Sequence, residues 1–207
     1  MGITIARITP EHGPQARTLI ARAFANDPLI NWLFPPTDMS LDQRLDAIAI
    51  FYWPDVEAYA AAGTGHVALD GNEVVGASMW SLPNTTRPAS VLPSSTTVAT
   101  ILLGEKLKEL ASAMKAARAT GRTPETPYLH DLAVDDGCRS SGIGAKLLEA
   151  GLDEYGTDGS WLETTNPRNH SFYERFGFNI DAQHRIADSD ITMTRMVRGR
   201  TGFLPTN

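Results

Sequence analysis

The run Asp135-Asp-Gly-Cys-Arg-Ser-Ser-Gly-Ile-Gly-Ala-Lys146 lies where a strand-like pattern gives way to a helical one. A helix start leaves backbone N–H groups unpaired, and glycine lets a ligand come close to the main chain, so such a place suits a phosphate. Two familiar phosphate loops fail on inspection. A Walker loop needs Gly-x-x-x-x-Gly-Lys-Ser/Thr; Gly137 and Gly142 have that spacing, but Ile143 stands where the lysine must be. The dinucleotide fingerprint needs a Gly or Ala three residues after its second glycine, and three residues after Gly144 stands Leu147. What remains is Arg139-x-x-Gly142-x-Gly144. Cys138 lies on this loop with no histidine in a recognisable pairing, which disfavours an acyl-cysteine intermediate.

Further along, Asn169 and Tyr173 are four residues apart and share a helical face. Asn169 is also a natural N-cap, and the Tyr173 ring could simply pack with Phe172 and Phe176. Before the loop, Tyr128 to Val134 alternates as a strand, placing Tyr128, His130, Leu132 and Val134 on one face and Leu129, Asp131 and Ala133 on the other. His130 is a candidate base, because the unperturbed pKa of histidine lies near neutrality; Glu163, on a later strand, is a second. A buried structural histidine and a carboxylate paired with an arginine are the plain alternatives.

The elements that must position these groups follow from periodicity. Ile3, Ile5 and Ile8 suggest a first strand, and Ala16, Leu19, Ile20, Ala23 and Phe24 a helix that Asn26-Asp27-Pro28 stops. Ser40 with Gln43 is a capping box opening a helix that Pro54 should kink and Gly63 should end. His66–Leu69 and Val74–Trp80, joined at Asp70-Gly71, read as a hairpin. Pro83 to Pro93 reads as a loop and Thr97 to Ala119 as one helix, broken by residues 121–127. Then come strand (128–134), loop (135–141), helix (142–155), strand (160–165), short helix (169–176), strand (178–182) and a last strand (191–197), with a loose tail at 199–207. Strand, helix, strand implies a parallel crossover pair, so the expectation is one α/β domain over 1–198 with a mixed sheet.

Arg139-Ser140-Ser141-Gly142-Ile143-Gly144, the preceding Leu129-His-Asp-Leu-Ala-Val134 and the following Asn166-Pro-Arg-Asn-His-Ser-Phe-Tyr-Glu-Arg-Phe-Gly-Phe178 together resemble the GNAT superfamily of N-acetyltransferases. The segment from Leu162 to Phe178, with Ala21 to Pro28, is similar to the puromycin N-acetyltransferase subgroup. The resemblance implies a twisted sheet with a splayed central strand pair flanked by helices, and acetyl-CoA as co-substrate without a metal. It implies that Leu132, Ala133 and Val134 meet the pantetheine arm, that Arg139, Ser140, Ser141, Gly142, Ile143, Gly144 and Ala145 hold the pyrophosphate, and that Asn169 contacts the cofactor. Tyr173 would protonate the departing thiolate, an amine would attack the thioester directly, and a strand amide near Val134 would steady the oxyanion. The base is left open among His130, Glu163 and a water relay. The acceptor wall is expected from Phe24, Asp27, Trp32 and Phe34, with Trp53 and Trp80 as further candidates, although such aromatics more often form core.

Composition bounds the partners. The 207 residues carry 18 Lys plus Arg against 24 Asp plus Glu, a net charge of −6, with 42% apolar residues. That is enough to bury a core, and the acidity argues against nucleic acid or an anionic membrane as partner. A lone cysteine, no signal-peptide pattern and no membrane-length apolar run suggest a cytoplasmic protein, monomeric or homodimeric. From Gly137 to Gly177 four basic residues meet six acidic ones, so bulk charge should not recruit CoA, and fixed N–H groups should. A small amine is the leading acceptor; a protein amine, or acyl-CoA binding without turnover, are the rivals. Tyr173 speaks against the last, because a sensor needs no thiolate acid.

Overall fold

Alternation at the N-terminus produces β1 (Thr4–Arg7), in a computed structural model that describes residues 2–83, 85, 93–119, 125–186 and 189–199. Most of the expected Pro83–Pro93 loop, the breaker at 121–124 and the tail beyond Gly199 lie outside the described residues. The apolar stripe of α1 (Gly13–Phe24) buries Ala16, Leu19 and Ile20. Asn26-Asp27-Pro28 does end α1, but it also starts a helix absent from the sequence reading. The Asp27 carboxylate accepts the Leu29 N–H at 2.9 Å and caps α2 (Pro28–Leu33).

The Ser40/Gln43 capping box forms as expected and opens α3 (Leu41–Ala62), which runs through Pro54 and ends at Gly63 in the left-handed conformation. Arg44 on α3 is 4% exposed and fastens three helices together. It donates to the carbonyls of Ala25 (2.5 Å) and Phe34 (2.6 Å) and to Asn31 Oδ1 (2.7 Å). The two carbonyls are helix-end acceptors that would otherwise be buried without partners.

The hairpin joins β2 (Gly65–Asp70) to β3 (Glu73–Ser81) through Gly71-Asn72. The expected single helix over 97–119 is two: α4 (Ser95–Leu103) and α5 (Glu105–Ala119). They break at Gly104, whose φ of 53° and ψ of −123° close off helical continuation. Next come β4 (Tyr128–Val134), α6 (Ile143–Tyr155), β5 (Ser160–Thr164), α7 (His170–Glu174), β6 (Asn179–Arg185) and β7 (Thr192–Arg198).

The strands form one sheet of order β1-β2-β3-β4-β5-β7-β6. β4 pairs antiparallel with β3 along its length but parallel with β5 only at Tyr128↔Trp161 and Leu129↔Leu162. β5 turns away to pair fully with β7. The centre of the sheet is therefore split beyond Leu129, which is the expected splay. α6 lies so close on the sheet that Trp80, fully buried, fits only because position 151 is glycine. Among the described residues no helix is long and apolar enough to cross a membrane.

Candidate active site

Where β4 and β5 part, the β4 edge lacks a strand partner. The Asp135 N–H bonds to the Val75 carbonyl on β3 at 2.9 Å. By alternation Ala133 also faces β3, and the N–H and C=O groups of Leu132 and Val134 face the gap. A groove of about 760 Å³ runs along this edge and over the start of α6. The first helical hydrogen bond runs from Lys146 N–H to the Gly142 carbonyl, so the amides of Ile143, Gly144 and Ala145 remain for a ligand. Gly142 (φ 81°) and Ser140 (φ 64°) both take the left-handed turn that bends the loop around these donors.

The bulk-charge expectation for this region needs correction. Arg139, Arg168 and Arg175 all line the groove, against Asp27 as its one carboxylate among the described lining residues. The fold sorts charges by face, which a sum over the chain cannot show. Arg139 shares its charge with Asp136 at 2.6 Å. Ser140 lines the groove, whereas Ser141 turns back, its hydroxyl donating to the Cys138 carbonyl at 2.5 Å. Asn169 stands at the start of α7 without a capping hydrogen bond, and its side chain faces the groove instead. Asn166 caps the preceding turn, accepting the Arg168 N–H at 3.1 Å.

A second cavity, about 250 Å³, lies on the other side of the split. The two share Phe24, Asp27, Leu132, Asn169 and Tyr173 as a common rim. Four carboxylates line the second cavity: Asp27, Asp55, Asp131 and Glu163. Tyr173 is 8% exposed. Burial, and then the nearby Asp131 and Asp27 charges, push its phenol well above the ordinary tyrosine range, so it keeps its proton. Tyr52, on the cavity wall from α3, is raised likewise by burial and by the same two carboxylates. Asp27 is raised chiefly by burial, opposed by hydrogen bonds from Leu29 N–H and from Thr165 Oγ at 3.0 Å. The Thr165 bond ties the first helical region to the end of β5.

His130 lines this cavity, and its Nδ1 lies 2.9 Å from Asp131 Oδ2. Strict alternation put these residues on opposite faces. The register shows why they meet: Met79 pairs with Asp131 and Trp80 with Leu129, leaving His130 as an extra residue in a bulge. Glu163 also lines the cavity and accepts from the Tyr128 hydroxyl at 3.4 Å.

The structure thus brings together Tyr173, His130, Glu163, Asp27, Phe24 and Asn169. It does not bring in the tryptophans. Trp80 is core beneath α6, and Trp32 packs with the α3–α5 helices while its carbonyl accepts from Lys106 Nζ at 3.0 Å. Phe34 is buried core, and Trp53 lies under the Arg17 guanidinium. Tyr52, Asp55 and Asp131 were missed as wall residues. Asp55, set between Trp53-Pro54 and Val56 in an apolar helix, was the visible signal.

The split sheet thus carries an arginine-lined groove on its open edge and a carboxylate-lined cavity behind it. Comparison with known proteins assigns the family. The acetyltransferase (GNAT) family profile matches residues 26–178. A Corynebacterium glutamicum protein described as histone acetyltransferase HPA2 and related acetyltransferase is 25% identical, with TM-score 0.70 and full coverage of both chains. The Drosophila melanogaster polyamine N-acetyltransferase is 16% identical, with TM-score 0.63 over 96% of this chain and 100% of that one. A Thermoplasma acidophilum N-acetyltransferase solved with coenzyme A is 12% identical, with TM-score 0.53 over 94% and 98%. The chain belongs to the GNAT family of acetyltransferases. It is therefore an N-acetyltransferase enzyme, of a family that uses acetyl-CoA.

Proposed function

We propose that this chain transfers the acetyl group of acetyl-CoA to a small, cationic primary amine by direct attack on the thioester. One observation carries the reading: an arginine-lined groove with free helix-start amides meets a carboxylate-lined cavity along a rim that includes Tyr173. The groove suits a pyrophosphate, and Leu132 and Val134 offer main-chain groups to the pantetheine arm in the manner of an added strand. The cavity attracts an ammonium group and, at about 250 Å³, is sized for a small molecule. Neighbours of this fold acting on polyamines and agmatine support an amine acceptor.

The proton balance assigns the side chains. An ammonium must lose one proton before its nitrogen can attack and a second as the N–C bond forms. His130 takes protons from the amine. The Glu163 carboxylate, held by the Tyr128 hydroxyl, is the weaker base and orients the cation. As the C–S bond breaks, Tyr173 gives its proton to sulfur, which leaves as a thiol rather than a thiolate. One proton is released overall. The Val134 N–H steadies the oxyanion on the intermediate.

The test is a panel of amines followed by free-thiol release, with puromycin, agmatine, diamines and monoamines of matched length. Turnover with preference for dicationic amines is expected, because four carboxylates face the acceptor. Tight acetyl-CoA binding with no thiol release above background across the panel would overturn the enzyme reading in favour of a binding module.

A further inference from the structure

We infer that Asp131 is a positioning residue that sets the tautomer and raises the basicity of His130, and that the β4 bulge exists to bring the two together. This rests on the reading of His130 as the base. Asp131 is 5% exposed, and among the described residues its side chain has one hydrogen bond, to His130 Nδ1 at 2.9 Å. A buried carboxylate with a single partner is costly unless that partner shares its charge. In a regular strand, adjacent residues point to opposite faces and cannot pair. The extra residue at His130 removes that restriction locally, as bulges beside reactive sites do.

The consequences are chemical. A carboxylate accepts only, so Nδ1 must carry the proton and Nε2 is the unprotonated, basic nitrogen. When His130 takes the amine proton at Nε2, the imidazolium forms against a fixed negative charge, and no atom of Asp131 enters the reaction. Around His130 stand Tyr128 on its own strand, its ring centre 5.6 Å away, and Tyr59 of α3 at 5.3 Å. Glu163 of β5, Tyr52 and Asp55 of α3, Asp27 at the start of α2 and Tyr173 of α7 share the cavity. These carboxylates also favour the imidazolium, so Asp131 is read from a difference between variants rather than from the absolute position of a pH limb.

Asp131→Asn keeps the shape and removes the charge. It should move the acid limb of kcat/KM to lower pH by about one unit, the size expected for losing a contacting opposite charge. The alkaline plateau should fall at least about tenfold, while the acetyl-CoA Kd stays within about twofold. In a His130→Gln background the same change should alter kcat by less than about twofold. Equal losses in both backgrounds, or a lower plateau with an unmoved limb, would overturn the inference while leaving His130 as base. Parental activity of His130→Gln at every pH would remove His130 as base and Asp131 with it. A readout without turnover is the ¹⁵N spectrum of the histidines: Nδ1–H in the parent supports the pairing, and Nε2–H there refutes it.

Discussion

Replacing Gly151 by alanine probes how α6 holds the pyrophosphate amides. A Cβ at position 151 would lie 2.5 Å from Trp80 Cε2 and 2.7 Å from Cζ2, and closer still to Nε1. Carbon atoms in contact sit about 3.5–4.0 Å apart, so either the helix or the indole must move by about 1 Å. Trp80 is fully buried among Leu148, Leu152, Leu162 and Tyr173 and has no free space to turn into. Overpacking of this kind costs about 1–3 kcal/mol, offset by up to about 1 kcal/mol from the better helix propensity of alanine. A net loss of about 1–2 kcal/mol should appear in urea unfolding. Because α6 carries the amides of Ile143 to Ala145 at its other end, a shift of this size should also weaken acetyl-CoA binding several-fold. Trp80→Phe removes the obstructing Nε1 edge. The double variant should therefore be more stable than the sum of the single changes allows. Parental or higher stability of Gly151→Ala, or strict additivity with Trp80→Phe, would refute this account of α6 docking.

Tyr173→Phe should lower kcat by about 10²-fold or more with the acetyl-CoA Kd little changed, measured by thiol release and calorimetry; unchanged kcat removes Tyr173 as the acid. Asp27 has a folded pKa above its unfolded value, so its ionisation opposes folding. The stability linked to its neutral form is complete below the ordinary carboxylate pKa and is lost as pH rises through the raised value. Asp27→Asn should consequently melt higher than the parent at pH 7, equal it near pH 3, and show a raised KM for the amine. Arg44→Leu strands two buried carbonyls and the half-buried Asn31 amide oxygen and should cost about 3 kcal/mol in denaturant unfolding. His66 is held below its usual pKa by burial and then by Arg7, despite Glu154 at 2.9 Å. The folded state thus binds protons less readily there, and the parent should lose stability as pH falls through about 6, a slope that His66→Gln should flatten.

Local signals were legible where one residue type has one physical use. Ser40 with Gln43 announced a helix start that forms as read, and Asp70-Gly71 a hairpin whose turn falls one residue later, at Gly71-Asn72, while the Arg139-x-x-Gly142-x-Gly144 loop lines a groove at the start of α6. What failed depended on partners distant in sequence. Trp80 was read as a candidate ligand wall, although such aromatics more often form core, and only Gly151 against its indole decides for core. Gly104 was hidden inside a helical pattern because apolar period continues across it, although its backbone does not. The His130–Asp131 contact was invisible because alternation is a rule for regular strands, and only the register with β3 reveals the bulge. The arginine lining was masked by summation, since charge was counted along the chain rather than over surfaces.

The two-cavity arrangement has a consequence for how such a chain can change over generations. Apart from a few rim residues, the arginine-lined groove is assembled from 132 to 175, whereas the far wall of the carboxylate-lined cavity comes from helical segments between 24 and 114. Much of what the groove offers a ligand is main chain and indifferent to side-chain identity. Substitutions in the early helices that line only the second cavity, such as Leu29, Phe51, Leu110 and Met114, can thus reshape it without touching the groove that runs over the start of α6.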